Sequence, residues 1–200
     1  MIGFDRVWFS YGKDGEEKTS KEKTALPFRD LSFHVPAGER VWLRGESGCG
    51  KTTLLRLILG LETPARGTVK VGTDRVSVLF QENRLLPYLS VAENCALFAR
   101  GASAPETVLR ELGLEESANA LPSALSGGMA RRAALARMLS HEAELYLLDE
   151  PFNGLDEENV RRCAKAINRI TAGKTVLVVT HHESEAEALH CTTPLDALCF

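Results

Sequence analysis

Two hundred residues, 44% of them hydrophobic, can bury a sizeable core and are expected to form a single domain over residues 1–200. A formal net charge of -3 gives no general electrostatic reason to expect nucleic acid, and five scattered cysteines (49, 95, 163, 191 and 199) show neither metal-site spacing nor a disulfide framework. No apolar run approaches membrane-spanning length, and Asp5 and Arg6 interrupt the amino terminus where a signal peptide needs its apolar stretch, so the chain reads as soluble and cytoplasmic, meeting any membrane through a partner.

Residues 2–9 are rich in β-formers and predict a strand leading into Ser10-Tyr11-Gly12. Residues 12–24 mix Lys and Glu with few apolar residues, which predicts an exposed, mobile loop. Leu31-Ser32-Phe33-His34-Val35 alternates as a half-buried strand does, and Pro36 to Glu39 turn the chain into the apolar run Arg40-Val41-Trp42-Leu43. Then comes Gly45-Glu46-Ser47-Gly48-Cys49-Gly50-Lys51-Thr52, with the spacing G-x-x-x-x-G-K-S/T, and beyond it Leu54, Leu55, Ile58 and Leu59 recur at helical spacing. This is the strand, loop and helix of a phosphate-binding loop. Its glycines let the backbone curl so that successive N–H groups and the helix N-terminus point at a polyphosphate. Lys51 would reach the β and γ phosphates, the Thr52 hydroxyl would ligate Mg2+, and Gly45 through Thr53 make up the candidate nucleotide-contacting set. The plain alternative is a glycine-rich turn matching by accident, against which the flanking strand and helix argue.

Val69-Lys70-Val71 and Val76 to Phe80 predict two further strands, the second ending at Gln81. From Glu82 to about Leu125 the pattern turns helical, with Val91, Cys95, Leu97 and Phe98 and then Val108, Leu109, Leu112 and Leu114, predicting a helical insert over about 82–130. Leu125-Ser126-Gly127-Gly128 precedes a helix containing Ala134, Leu135, Met138 and Leu139, along which Arg131 and Arg132 read as a solvated or interface-facing basic edge. Leu145 to Leu148 is a buried strand ending at Asp149-Glu150-Pro151. A helix from about Glu157 sets Val160, Cys163, Ala164, Ile167 and Ile170 on one face, with Asp156 able to cap it, and the buried strand Thr175 to Val179 ends at Thr180-His181.

Polar residues thus end three apolar strands (Gln81, Asp149-Glu150 and His181), where an open parallel sheet gathers its ligand chemistry. Asp149 suits a carboxylate holding Mg2+ near Thr52, and Glu150 can polarise a water aimed at the γ-phosphate. His181 can hydrogen-bond that phosphate, and the Gln81 amide can ligate Mg2+ or water while connecting directly to the helical insert. An isolated Asp-Glu pair is usually a solvated surface feature; after a buried strand, in a chain with a phosphate loop, the catalytic reading is favoured. His34, His141, His182 and His190 read as structural.

Leu125-Ser126-Gly127-Gly128-Met129 resembles the signature motif of ATP-binding cassette (ABC) ATPases. The resemblance covers residues 1 to about 190, with Gln81 as the Q-loop, Leu145 to Glu150 as the Walker B strand, Asn153 to Asp156 as the D-loop, His181 as the switch histidine and Tyr11 as the aromatic residue that stacks on adenine. It implies an α/β P-loop NTPase with a mixed parallel core sheet, an N-terminal antiparallel β subdomain and a helical subdomain. It further implies an ATPase using ATP and Mg2+, in which Lys51, Gln81, Glu150 and His181 act in catalysis and Thr52, Gln81 and Asp149 serve the metal. Two cassettes would meet head to tail, each ATP lying between one phosphate loop and the opposite Ser126, Gly127 and Gly128, with Asp156 beside it. Phe80 to Tyr88 and Met129 are similar to importer ATPases of the nitrate, sulfonate and taurine group. Transmembrane permease subunits and a solute-binding protein would then be partners, and the chain would sit peripherally on the inner face of the membrane. Ala130 and Arg131 depart from the family, whose members usually carry Arg-Gln there. The rivals are a cassette ATPase of DNA repair or translation, which would need long coiled-coil insertions or two cassettes, and a small-molecule kinase, which would leave Leu125 to Gly128 unexplained.

Overall fold

The computed structural model describes residues 1–11, 28–45, 48–97, 99, 104–191 and 193–196. The loop expected at 12–24, and Glu46, Ser47, Phe98 and Cys199, lie outside the described residues.

Strands β1 (Ile2–Phe9), β2 (Phe28–Val35) and β4 (Arg66–Val71) form an antiparallel sheet in the order β2-β1-β4. The apolar alternation of β1 changes parity midway: Ile2 and Phe4 are buried, and then Val7 and Phe9. A bulge at Asp5–Arg6, with Arg6 at φ 47°, inserts the extra residue that keeps all four on the core face. Gly67 crosses this bulge at φ 82°, where a Cβ would lie 2.2 Å from the Arg6 carbonyl oxygen, so no larger residue fits.

Strands β3 (Arg40–Arg44), β5 (Val76–Leu79), β6 (Leu145–Asp149), β7 (Thr175–Val179) and β8 (Thr193–Asp196) form the core sheet in the order β5-β6-β7-β3-β8. Every pairing between them is parallel; the antiparallel strands form a sheet of their own. Both faces of the core sheet are covered, which is why its central strands are continuously apolar. Leu43, Leu145, Leu147, Leu177 and Val179 face a core shared with the antiparallel sheet and helix α1 (Lys51–Ile58). Trp42, Tyr146, Leu148, Val176 and Val178 face a second core, shared with helices α2 (Val91–Ala96), α3 (Pro105–Glu111), α4 (Gly127–Leu139) and α5 (Glu157–Ile170). Each such fully buried aliphatic side chain contributes about 1.5–3 kcal/mol of apolar burial.

The helical insert starts later than its pattern suggested. Residues 82–90 are irregular, with a turn at 87–88, and α2 begins at Val91 because Ser90 and Glu93 form a reciprocal capping box. The buried Asn94 holds the preceding turn: its Oδ1 accepts from Leu86 N, and its Nδ2 donates to the Leu86, Leu89 and Ser90 carbonyls. Helix α5 begins at Glu157 with Asp156 as its cap, Oδ1 accepting from Asn159 N at 2.8 Å. Helix α6 (Glu183–Ala188) and β8, an edge strand containing Pro194, were not anticipated. Among the described residues no helix is long and apolar enough to cross a membrane.

Candidate functional site

Because β5, β6, β7 and β3 are successive neighbours and run parallel, their carboxyl ends deliver their following residues to one edge of the sheet. A cavity of about 230 Å3 opens there, lined by Gly48, Gly50, Lys51, Thr52, Thr53, Gln81, Asp149, Glu150, Val179 and His181. The three polar strand ends and the phosphate loop therefore meet in one place.

The phosphate loop curls through Gly48 at φ 82° and Gly50 at φ 103°, left-handed values that favour glycine, and Gly50 is the N-cap of α1. A Cβ at Gly48 would meet nothing within 4 Å, so backbone conformation rather than space demands the glycine. Lys51 is buried; its Nζ donates to the Gly45 carbonyl at 2.7 Å and lies 3.7 Å from Cys49 Sγ. Thr52 Oγ1 donates to Asp149 Oδ2 at 3.2 Å, joining the start of α1 to the end of β6. Tyr11 does not line the cavity, but its hydroxyl lies 2.7 Å from Thr53 Oγ1 and its ring meets Phe9 edge-on. That places an exposed aromatic face beside the first turn of α1.

Glu150 follows β6 at φ 48°, and its Oε1 lies 3.3 Å from His181 Nε2. Burial pushes the Glu150 carboxyl up, with the charges of Glu185 and Asp149 adding and those of His181 and Lys51 opposing. Burial likewise pushes Asp149 up, against the Thr52 hydrogen bond and the Arg131 and Lys51 cations. Thr52, Gln81 and Asp149 offer a hydroxyl, an amide and one carboxylate, and no cluster of three or more His, Cys, Asp or Glu exists among the described residues. That donor set fits Mg2+, which keeps several waters and takes substrate phosphate oxygens, and it does not fit a fully protein-ligated transition metal.

Ser126, Gly127, Gly128 and Asp156 lie outside the cavity lining. Ser126 Oγ caps α4 by accepting from Met129 N, and a Cβ at Gly128 would approach the Gly154 carbonyl oxygen at 3.4 Å. The start of α4 and the 153–156 turn are thus packed together as a surface apart from the phosphate loop.

Arg131 is not the solvated edge that the sequence suggested. It is 2% exposed, and its guanidinium donates to the Phe80, Gln81, Asp149, Glu150 and Pro151 carbonyls and to Asn83 Oδ1. Burial pulls its pKa down, opposed by the Asp149 and Glu150 charges. Arg132 is half-buried, with Nη1 on the Leu112 and Gly113 carbonyls. The available signal was the run Ala133-Ala134-Leu135-Ala136: in a helix buried nearly all round, a charged residue has no water to reach.

A family model described as ABC transporter matches residues 28–153. An aliphatic sulfonates import ATP-binding protein of Pseudomonas syringae pv. tomato is 42% identical over 172 residues, covering 80% of this chain and 64% of the relative. Another, of Pseudomonas fluorescens, is 42% identical over 184 residues, covering 86% of this chain and 68% of the relative. The chain therefore spans about two thirds of the length of these relatives. Among solved structures, the dimeric post-hydrolysis state of an ATP-binding cassette bound to ADP and Pi superposes with a TM-score of 0.78 at 29% identity, covering 94% of this chain and 91% of that one.

Proposed function

Since the chain belongs to the ABC transporter family, we propose that it is the ATP-hydrolysing subunit of an import complex, acting as half of a head-to-tail pair of cassettes. The observation that carries this reading is the convergence of the phosphate loop, Gln81, Asp149, Glu150 and His181 on one cavity. The sulfonate-import names of the relatives favour a small organic or inorganic oxyanion as cargo.

In this reading Lys51 leaves the Gly45 carbonyl to meet the β and γ phosphates, while the loop N–H groups and the N-terminus of α1 hold the remaining negative charge. Tyr11 stacks on adenine, held against α1 by Thr53. Thr52, Asp149 and Gln81 would hold Mg2+, which supplies charge neutralisation of the phosphates when bound. Glu150 accepts the proton of a water aimed at the γ-phosphate, and its raised pKa makes it a stronger base than an exposed glutamate. His181, paired with Glu150, donates to the γ-phosphate oxygen and orients the carboxylate. The separate surface formed by Ser126, Gly127, Gly128 and Asp156 faces the nucleotide of the second cassette.

A groove of about 370 Å3 along the exposed edge of β5, lined by Phe80, Arg84, Leu86, Met138 and His141 among others, is the docking place for a helix of the permease subunit. It lies directly beside the Gln81 loop, so nucleotide state and membrane partner share one element. Through such contacts the chain would sit on the inner face of the membrane, with a solute-binding protein completing the system. The test is MgATP hydrolysis by the purified chain, with and without permease subunits recovered from membranes. Phosphate release abolished by Lys51→Ala, together with co-purifying membrane subunits, is the expected result. Phosphoryl transfer to an acceptor other than water would overturn the reading in favour of a kinase.

A further inference from the structure

We propose that Arg131 is a positioning residue that locks the Gln81 loop and the Glu150 turn to the helix carrying Ser126 to Gly128, so that the two half-sites of one chain move as a unit. The inference rests on the ATPase reading above and goes beyond it. A guanidinium presents five N–H donors in a rigid fork, and burying one is tolerated only when these are satisfied. Arg131 satisfies them on two chain segments that are far apart in sequence. Nη1 reaches the Phe80 carbonyl at 2.7 Å, the Gln81 carbonyl at 3.1 Å and Asn83 Oδ1 at 3.2 Å, beyond the end of β5. Nη2 reaches the Asp149 and Glu150 carbonyls at 2.5 and 2.6 Å, and Nε reaches the Pro151 carbonyl at 3.2 Å, at the end of β6.

None of these acceptors is a carboxylate. The Asp149 and Glu150 side chains therefore stay with Thr52 and His181 at the cavity, while their main chain is held from behind. Glu150 also sits at φ 48°, which a residue with a Cβ keeps only when its surroundings over-determine it. Arg131 Nη2 bonds the carbonyls of Asp149 and Glu150, which bracket that strained position. Six residues on along α4, Arg137 donates to the Asn83 and Arg84 carbonyls at 3.0 and 2.6 Å, so the same helix grips the Gln81 loop twice. Arg131 stands about one turn from the N-cap Ser126. A shift of the start of α4 by an opposing nucleotide is therefore passed through a rigid fork to Gln81 and Glu150 together.

The experiment compares the wild-type chain with Arg131→Met, Arg131→Gln and Arg131→Lys. Hydrogen exchange of the nucleotide-free protein is read for residues 80–84 and 149–153, and kcat and ATP Kd are measured on the same preparations. For Arg131→Met, both segments should exchange about tenfold faster together, with α1 and β7 unchanged. Turnover should fall by about 10²-fold, the effect of misplacing a catalytic group by about 1 Å, while ATP Kd stays within about twofold. Arg131→Gln and Arg131→Lys, which keep some donors, should lie between. They carry the test if Arg131→Met does not fold. Wild-type exchange in both segments of a folded Met or Gln variant would overturn the proposal, as would faster exchange spread over α1 and β7. Loosened segments with unchanged kcat would leave Arg131 a purely structural residue and overturn it too. If the wild type itself releases no phosphate, the ATPase reading fails, while the exchange arm still decides whether Arg131 joins the two segments.

Discussion

Replacing Glu150 by glutamine removes a proton acceptor and changes little else. The side chain is 16% exposed, its Oε1 faces His181 Nε2 at 3.3 Å, and the amide is close to isosteric with an oxygen that can accept the same hydrogen bond. Loss of a general base typically lowers a rate by about 10²- to 10⁴-fold. The middle of that range, about 10³-fold, corresponds to roughly 4 kcal/mol in the barrier. Binding should be spared, because Lys51, Thr52 and Asp149 keep their contacts; ATP affinity is expected within about threefold of wild type, or about 0.7 kcal/mol. Asp149→Asn should behave differently, weakening Mg2+-dependent turnover while leaving the base in place. The assay is single-turnover phosphate release at saturating MgATP beside equilibrium ATP binding, with size-exclusion chromatography to detect the ATP-bound dimer that stalled hydrolysis should accumulate. A Glu150→Gln protein that binds ATP and hydrolyses it at near the wild-type rate would falsify the assignment. Equal losses in rate and affinity would refute the separation of binding from chemistry.

Ser126→Arg should abolish hydrolysis yet leave ATP binding to the monomer nearly intact, because Ser126 lies outside the cavity; an affinity loss as severe as that of Lys51→Ala would show that the half-site division is wrong. Alkylation of Cys49 should block ATP binding and MgATP should protect, since its Sγ lies 3.7 Å from Lys51 Nζ. Labelling in a Cys199→Ser background should be selective, because burial pushes the Cys95 and Cys163 thiols up to about 12 and Cys191 up to about 11; equal labelling with and without nucleotide would refute the idea. Glu144 bonds Lys174 at 3.0 Å and pairs with Arg75, tying the starts of β5, β6 and β7 together, and these contacts hold its folded pKa below the ordinary 4.5. Its stabilisation is therefore present above that value and lost as pH falls through the folded pKa. The Tm gap between wild type and Glu144→Gln should be widest at neutral pH and close as pH falls through that depressed pKa, and a gap independent of pH would show that packing rather than charge is responsible.

The parts of this fold that were legible in the sequence are those where one physical requirement dominates. Strands β6 and β7 are apolar at nearly every position because both faces of a central parallel strand are covered, and their ends are where polarity returns. The β1 bulge was not legible, since Asp5 and Arg6 look like an ordinary polar interruption. Its partner signal, Gly67, lies about sixty residues away and becomes meaningful only once the two strands cross. The irregular stretch 82–90 was drawn into the helical reading because the apolar pattern that begins at Val91 carries no mark of its own start; Pro87 and the Asn94 hydrogen bonds decide otherwise, and they act through tertiary placement. Strand β8, four residues with a proline, carries almost no local signal, and it pairs only because β3 offers an edge.

Arg131 shows why the candidate site was legible in its membership and not in its support. The residues that face a ligand must end strands or fill a glycine-rich loop, and both are marks that a linear pattern carries. What holds those residues in register comes from behind, from a helix more than forty residues beyond Gln81 and about twenty before Glu150. A doubled arginine there reads as surface, because exposed helices carry such pairs at little energetic consequence. The difference lies in the surroundings: α4 is buried along Ala133 to Ala136, so the first of the two arginines is shut away from water, and backbone carbonyls at the two strand ends, together with Asn83 Oδ1, satisfy it. The same burial that would make an unpaired guanidinium intolerable makes this one a rigid fork.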